Sequence, residues 1–182
     1  MLSGSKKRRN QLESRNLILR QFTYEDWNEV HTYASLSEVY QYQPWGPNTE
    51  KDSQNYVQEI LQSYVMNPQT RFAYVVIHKE TKLFVGAIEL HLSVGKKAEL
   101  SYVLHPKWWG QGYATEAAEL LVNDGFNRLK LNEICATCDT RNLGSARVLE
   151  KIGMTFQKTI TKHLLIRDGW RDSKFYSLRK EE

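Results

Sequence analysis

Cysteine is scarce in this chain, with only Cys135 and Cys138 among 182 residues. Two thiols cannot build a disulfide framework, and such sparing use fits a reducing compartment. Long apolar runs are missing as well. No stretch approaches the roughly 18 consecutive apolar residues that cross a bilayer, and the basic N-terminus is not followed by an apolar segment of signal-peptide type. A cytoplasmic protein with no membrane partner is therefore expected. The glycines never form G-x-G-x-x-G, because Thr115 stands where a third glycine would follow Gly110 and Gly112, and no Gly-Lys-Ser/Thr occurs. Those absences remove the dinucleotide fingerprint and the P-loop.

A large surplus of one charge is lacking too. Lys and Arg number 25 against 21 Asp and Glu, a net charge of +4, and Lys6, Lys7, Arg8 and Arg9 account for all of it. The rest of the chain is formally neutral. A nucleic-acid partner is accordingly not expected, and the basic cluster reads as a solubilising terminus rather than a dock for an acidic partner. Hydrophobic residues at 41%, with 25% charged, are enough for one well-cored soluble domain. The two cysteines form C-x-x-C, but Asn132-Glu133-Ile134-Cys135-Ala136-Thr137-Cys138 reads as a strand, on which positions three apart face opposite ways. A redox pair usually opens a helix, and no second pair completes a zinc site, so no metal is expected.

Apolar spacing sets out the elements. Residues 1–14 read as a flexible basic N-terminal segment, and the domain as 15–180, opening on a short strand at Asn16-Leu17-Ile18-Leu19-Arg20. Thr23 with Asp26, and Thr49 further on, mark two helix starts; in the second, Val57, Ile60, Leu61, Tyr64 and Val65 fall on one stripe. An aromatic and proline-rich loop lies between them at 40–47. Strands follow at 72–77, 83–93 and 98–104, close enough in sequence to form an antiparallel meander. A helix at 115–128, the cysteine strand, a helix at 143–152 and a hairpin turning at Arg167-Asp168-Gly169-Trp170 complete the chain. The fold class is α/β (α+β): a single domain with a mixed, mostly antiparallel central sheet flanked by helices. The helix-strand-helix segment supplies its parallel part.

The chemistry-bearing segment is Leu104-His105-Pro106-Lys107-Trp108-Trp109-Gly110-Gln111-Gly112-Tyr113-Ala114-Thr115-Glu116, a strand passing through a glycine turn into a helix. Unpaired amides of a first helical turn, together with the positive end of the helix dipole, suit a phosphate or pyrophosphate. Within it, Trp109-Gly110-Gln111-Gly112-Tyr113-Ala114 resembles the cofactor loop Gln/Arg-x-x-Gly-x-Gly/Ala of the GCN5-related N-acetyltransferases (GNAT family). Tryptophan in the first position is common in the ribosomal-protein-alanine acetyltransferase-like branch. A second segment, Asn142-Leu143-Gly144-Ser145 through Lys151-Ile152-Gly153-Met154, is similar to that family's N-x-x-S-x-x-x-x-x-K-x-G-F/M pattern. The resemblance covers residues 15–180, and its specific part is 84–156.

The resemblance implies acetyl-CoA as co-substrate, its pyrophosphate on the amides of Gln111, Gly112, Tyr113, Ala114 and Thr115. It implies that the strand ending at Leu104 splays from the cysteine strand, so that main-chain groups of Tyr102, Val103 and Leu104 pair with the pantetheine arm. Asn142 has two open roles, a cofactor contact or a helix cap. For catalysis, Glu99 is the implied general base, with Glu89 as competitor, and either is also readable as a solvent-facing strand residue. Leu149 stands where many relatives carry a proton-donating tyrosine. Ser145 then remains, suited to orienting or solvating the thiolate rather than acidifying it. His105 and His163 are titratable but not selected by spacing, and Tyr40, Tyr42 and Trp45 are candidates for an acceptor-side wall.

The function so implied is transfer of an acetyl group from acetyl-CoA to a primary amine by direct attack in a ternary complex, with a protein N-terminal α-amino group as one acceptor. Small amines, polyamines and antibiotics stay open, as does a non-catalytic acetyl-CoA-binding module. Monomer and homodimer both fit.

Overall fold

A computed structural model describes residues 11–180, and the cluster Lys6, Lys7, Arg8 and Arg9 lies outside them. Eight strands form one sheet in the order β1-β2-β3-β4-β5-β6-β8-β7. They are β1 (Gln11–Glu13), β2 (Leu17–Arg20), β3 (Arg71–His78), β4 (Phe84–Ser93), β5 (Lys97–Leu104), β6 (Glu133–Asp139), β7 (Thr155–Ile166) and β8 (Gly169–Arg179). All neighbours pair antiparallel except β5 and β6, which run parallel. The helices are α1 (Trp27–Ala34), α2 (Ser37–Tyr40), α3 (Glu50–Ser63), α4 (Tyr113–Asn127) and α5 (Leu143–Lys151). Because α4 links the parallel pair, it supplies the crossover that such a pair needs.

The run Phe72-Ala73-Tyr74-Val75-Val76-Ile77 is apolar at every position because β3 is covered on both faces. Tyr74 and Val76 join a core with Leu17, Leu19, Ile88, Leu121 and Ile134 beneath α4 and α5. Ala73 and Val75 join a second core with Val30, Tyr33, Val57 and Ile60 beneath α1 and α3. Successive side chains of a strand point to opposite faces, so one apolar run feeds two cores. The meander and the final hairpin take their expected places.

Three local expectations differ. The sheet begins before residue 15, since β1 pairs with β2 through Gln11↔Arg20 to Glu13↔Ile18. Long-range polar contacts fix this edge: Lys79 Nζ reaches Glu13 at 2.8 Å, and the Glu116 carboxylate accepts from Ser14 Oγ (2.7 Å), Asn16 N (2.7 Å) and Asn16 Nδ2 (2.9 Å). The stripe of α3 runs through Val57, Ile60, Leu61 and Tyr64 into the second core but leaves out Val65, which lies beyond the helix end and is 85% exposed. The 40–47 loop is preceded by the one-turn helix α2, which carries Val39 into the second core. Thr49 caps α3 as expected, its hydroxyl accepting from Asp52 N at 3.2 Å while the Asp52 carboxylate takes Thr49 N at 2.8 Å.

Gly86 sets the spacing of β4 and β5. A Cβ there would stand 2.2 Å from the Val103 carbonyl oxygen and 2.7 Å from Leu104 Cα, both backbone atoms that cannot swing aside. Gly86→Ala is expected to lower stability by about 1–3 kcal/mol, the usual cost of overpacking, measurable by urea unfolding.

Acid sensitivity follows from carboxylates held below their ordinary range. Burial pushes Glu116 up, but its bonds from Asn16 and Ser14 outweigh that and hold it low. A depressed folded-state pKa favours the fold fully above about pH 4.3, and that gain is lost as pH falls through the depressed value. Glu116→Gln is expected to lose stability at pH 7 and to flatten the acid limb of a pH–Tm profile.

Candidate active site

The two parallel strands part company early. β5 and β6 pair only at Lys97↔Glu133, Ala98↔Ile134 and Glu99↔Cys135, although both strands continue beyond. β5 stays bonded to β4 as far as Gly86↔Leu104, and β6 to β8 as far as Asp139↔Ser173. The result is a wedge between residues 100–104 and 136–139, with a backbone edge of β5 left for something other than β6. Such an edge accepts an extended ligand as an added strand.

Beyond the wedge the chain turns through Pro106–Trp108 and two glycines into α4. Trp108 Nε1 donates to the Phe84 carbonyl at 2.8 Å and Trp109 Nε1 to the Leu104 carbonyl at 2.9 Å, which pins the turn to the strand ends. Gly110 and Gly112 have φ of 74° and 84°, the left-handed region that side chains disfavour. Tyr113, Ala114 and Thr115 then begin the helix, where amides have no intrahelical carbonyl to bond. A groove of about 640 Å³ opens here. Tyr102, Val103, Leu104, Gly112, Tyr113, Ala114, Thr115 and Asn142 all line it. Gln111 does not: it stands exposed between the glycines, and its Nε2 turns back to the Lys107 carbonyl at 2.9 Å.

On the other side of the wedge lies a cavity of about 700 Å³, bounded by Tyr33, Tyr42, Trp45, Glu89, Glu99 and Arg171 among others. Tyr42, Tyr102, Val103, Asn142 and Ser145 belong to the walls of both spaces. Their ionic linings differ in sign. Asp52, Glu59, Glu89, Glu99 and Asp139 face the cavity against Arg171, whereas Arg141, Arg147 and Lys151 face the groove against Glu38. An amine suits the first and a phosphorylated ligand the second.

Individual side chains are tightly specified. Asp139, 2% exposed, accepts from Arg141 N (2.8 Å), Nε (2.9 Å) and Nη2 (2.7 Å), folding the β6–α5 turn. Burial raises its pKa, but the Arg141 guanidinium and amide more than offset this and hold it low. Asn142 caps α5, its Oδ1 accepting from Ser145 N at 3.0 Å. Glu89 is gripped by Arg71 Nε at 2.7 Å and His91 Nε2 at 3.2 Å; burial opposes its charge, yet these partners keep it below the usual carboxylate range. Glu99 is exposed to the cavity and accepts from Thr137 Oγ1 at 3.4 Å.

The feature that the sequence reading missed is a hydroxyl pair. Tyr102 OH lies 3.0 Å from Ser145 Oγ and 3.2 Å from the Ser145 carbonyl. Burial drives the phenol far above the ordinary tyrosine range, so it stays neutral and able to donate. The sign was its strand neighbourhood, since Leu100 and Leu104 flank it on the same face with no polar tip of their own. Leu149, buried beside Ser145 in the cavity wall, brings no acid. Tyr42 and Trp45 are wall residues, but Tyr40, His105 and His163 line neither space. Cys138 also lines the cavity, and burial pushes its thiol up and away from reactivity.

Comparison with known proteins agrees with this geometry. Residues 16–155 match the model of the acetyltransferase (GNAT) domain. An uncharacterized N-acetyltransferase of Bacillus subtilis, YnaD, is 30% identical over 94% of this chain and 98% of its own length. A GNAT-family acetyltransferase structure from Bacillus anthracis superposes with a TM-score of 0.83 at 34% identity, covering 94% of this chain and 99% of that one. The ribosomal-protein-S5-alanine acetyltransferase of Vibrio fischeri shares the fold, with a TM-score of 0.79 at 21% identity and coverage of 94% and 97%. With a family match across most of its length, a wedge between its parallel strands and a glycine-led helix start with free amides beside it, the chain belongs to the GNAT family of acetyl-CoA-dependent N-acetyltransferases.

Proposed function

We propose that the protein transfers the acetyl group of acetyl-CoA to a primary amine by direct attack in a ternary complex, with a protein N-terminal α-amino group as acceptor. The observation that carries this reading is the meeting of a positively lined groove and a negatively lined cavity at Tyr102, Val103, Asn142 and Ser145. Acetyl-CoA supplies an activated thioester. The amides of Gly112, Tyr113, Ala114 and Thr115 hold its pyrophosphate, and the open edge at Tyr102, Val103 and Leu104 takes the pantetheine arm and polarises the thioester carbonyl. The Oδ1 of Asn142 is already committed to the cap, so its Nδ2 is what it offers the groove.

Two proton tasks remain. The amine must lose a proton, and Glu99 is the carboxylate for that, directly or through water. Glu89, held low by Arg71 and His91, is a weak base and contributes negative potential instead. The leaving sulfur must be solvated as it gains charge. Ser145 can accept from Tyr102 and turn its own hydrogen towards that sulfur, which makes the pair a donor rather than an acid. An α-amino group, with a pKa of about 7.7–8.0 against about 10.4 for lysine, is the easier amine to deprotonate.

CoA release measured over a panel of peptides and small amines tests the reading. Tight acetyl-CoA binding without turnover on any of them would favour a non-catalytic binding module. With an α-amino acceptor, kcat/KM is expected to rise with pH to a plateau above about pH 8. Glu99→Gln should lower kcat by about 100-fold or more if Glu99 is the base. Tyr102→Phe, which loses one hydrogen bond to Ser145, should lower kcat about 5- to 10-fold while leaving the KM for acetyl-CoA nearly unchanged.

A further inference from the structure

We propose that Arg171 is a specificity-determining residue of the acceptor cavity, reading an oxygen beside the acceptor amine so that the preferred acceptor is an α-aminoacyl group. The inference rests on the acetyltransferase reading above and narrows its substrate.

Arg171 stands on β8, opposite Leu164 of β7, and lines the cavity although it is only 5% exposed. A cation so deep normally sits against a carboxylate, because a buried unpaired charge is costly. Arg171 forms no ion pair among the described residues, and Asp139, the cavity carboxylate whose charge bears on it most, gives both oxygens to Arg141. Its partners are neutral. Nη1 donates to the Tyr42 carbonyl at 2.7 Å and Nε to Ser173 Oγ at 3.0 Å, while Ser173 is in turn bonded to His163 Nδ1 at 3.0 Å. These bonds fix the guanidinium plane and leave Nη2 without a protein partner among the described residues. A planar fork held on one side and free on the other is suited to a carbonyl or carboxylate oxygen.

The same cavity carries Glu99 and four further carboxylates, which suit an ammonium group. An α-aminoacyl group offers both halves, an ammonium and an oxygen acceptor separated by two carbons. An alkyl polyamine answers only the carboxylates and brings a second positive charge into a cavity that already holds Arg171. The aminoacyl chemistry has two sources: a free amino acid, with a carboxylate, and the first residue of a peptide, with a carbonyl.

The test compares kcat/KM of the full chain on alanine, alaninamide, an Ala-initiated tripeptide, propylamine and spermidine, for the wild type, Arg171→Gln and Arg171→Lys. The wild type is expected to prefer the carbonyl-bearing amines to propylamine and spermidine, a comparison that needs no variant. Alanine against alaninamide and tripeptide separates the two sources. Arg171→Gln should lower kcat/KM on the aminoacyl acceptors by about 10- to 100-fold, mainly through KM, with much less effect on propylamine, and Arg171→Lys should restore part of the loss. Equal losses on all acceptors would reduce Arg171 to a tie for the Tyr42 loop, and a wild-type preference for spermidine would overturn the proposal outright. Calorimetric binding of alaninamide to the CoA-loaded protein, expected for the wild type and lost in Arg171→Gln, reads the site without turnover. Alaninamide binding with no CoA release from any amine would sink the acetyltransferase reading and leave this one standing; no binding would sink this one.

Discussion

The incomplete pairing of β5 with β6 is the constraint on which the rest of the molecule depends. Three residue pairs join them, and then each strand follows its other neighbour, β4 or β8. Strand pairing usually runs to the end because an unpaired backbone group is costly wherever water is excluded. Here each half of the sheet keeps its pairing on the far side while the seam between them opens. Gly86 lets β4 keep β5 close, while the Asp139–Arg141 turn carries β6 away into α5. The helices follow suit, since α4 starts at one lip of the wedge and α5 at the other. The free amides at the start of α4 and the Tyr102–Ser145 pair therefore converge without any loop having to reach across.

Electrostatics divides the wedge into two rooms. On one side the acidic groups are individually managed: Glu89 by Arg71 and His91, Asp139 by Arg141, Asp52 by the α3 cap. Such pairing keeps them ionised at neutral pH while limiting their mutual repulsion. Glu99 faces the cavity with nothing stronger than a long hydroxyl contact from Thr137, and Glu59 also lines it outside these ion pairs. In the proposed reaction Glu99 is the one that takes the proton of the amine.

Much of this was legible in the sequence, for identifiable reasons. The meander, the parallel crossover and the final hairpin follow from apolar runs and turn residues, which are local signals. The groove followed from two motifs whose glycines and asparagine have backbone duties that no other residue performs as well. The side chain of Gln111 turns back to the Lys107 carbonyl, which a motif position does not reveal, since the motif speaks for the main chain of the turn. Tyr102 was expected to contribute only its main chain, since the alternation of a strand shows which face a residue takes and not what its tip meets. Arg171 and Tyr42, 129 positions apart, are joined through a carbonyl, and a main-chain acceptor leaves no trace in composition. The edge strand β1 was hidden likewise, being fixed by Glu116 about a hundred residues away.

Tyr42 has one more consequence. Its carbonyl is held by Arg171 from the cavity side, its ring lies 5.4 Å beneath the Arg141 guanidinium from the groove side, and it forms part of both walls. Whatever enters one room rests against a partition that the other room shares. A change at this one residue therefore reshapes the donor side and the acceptor side together.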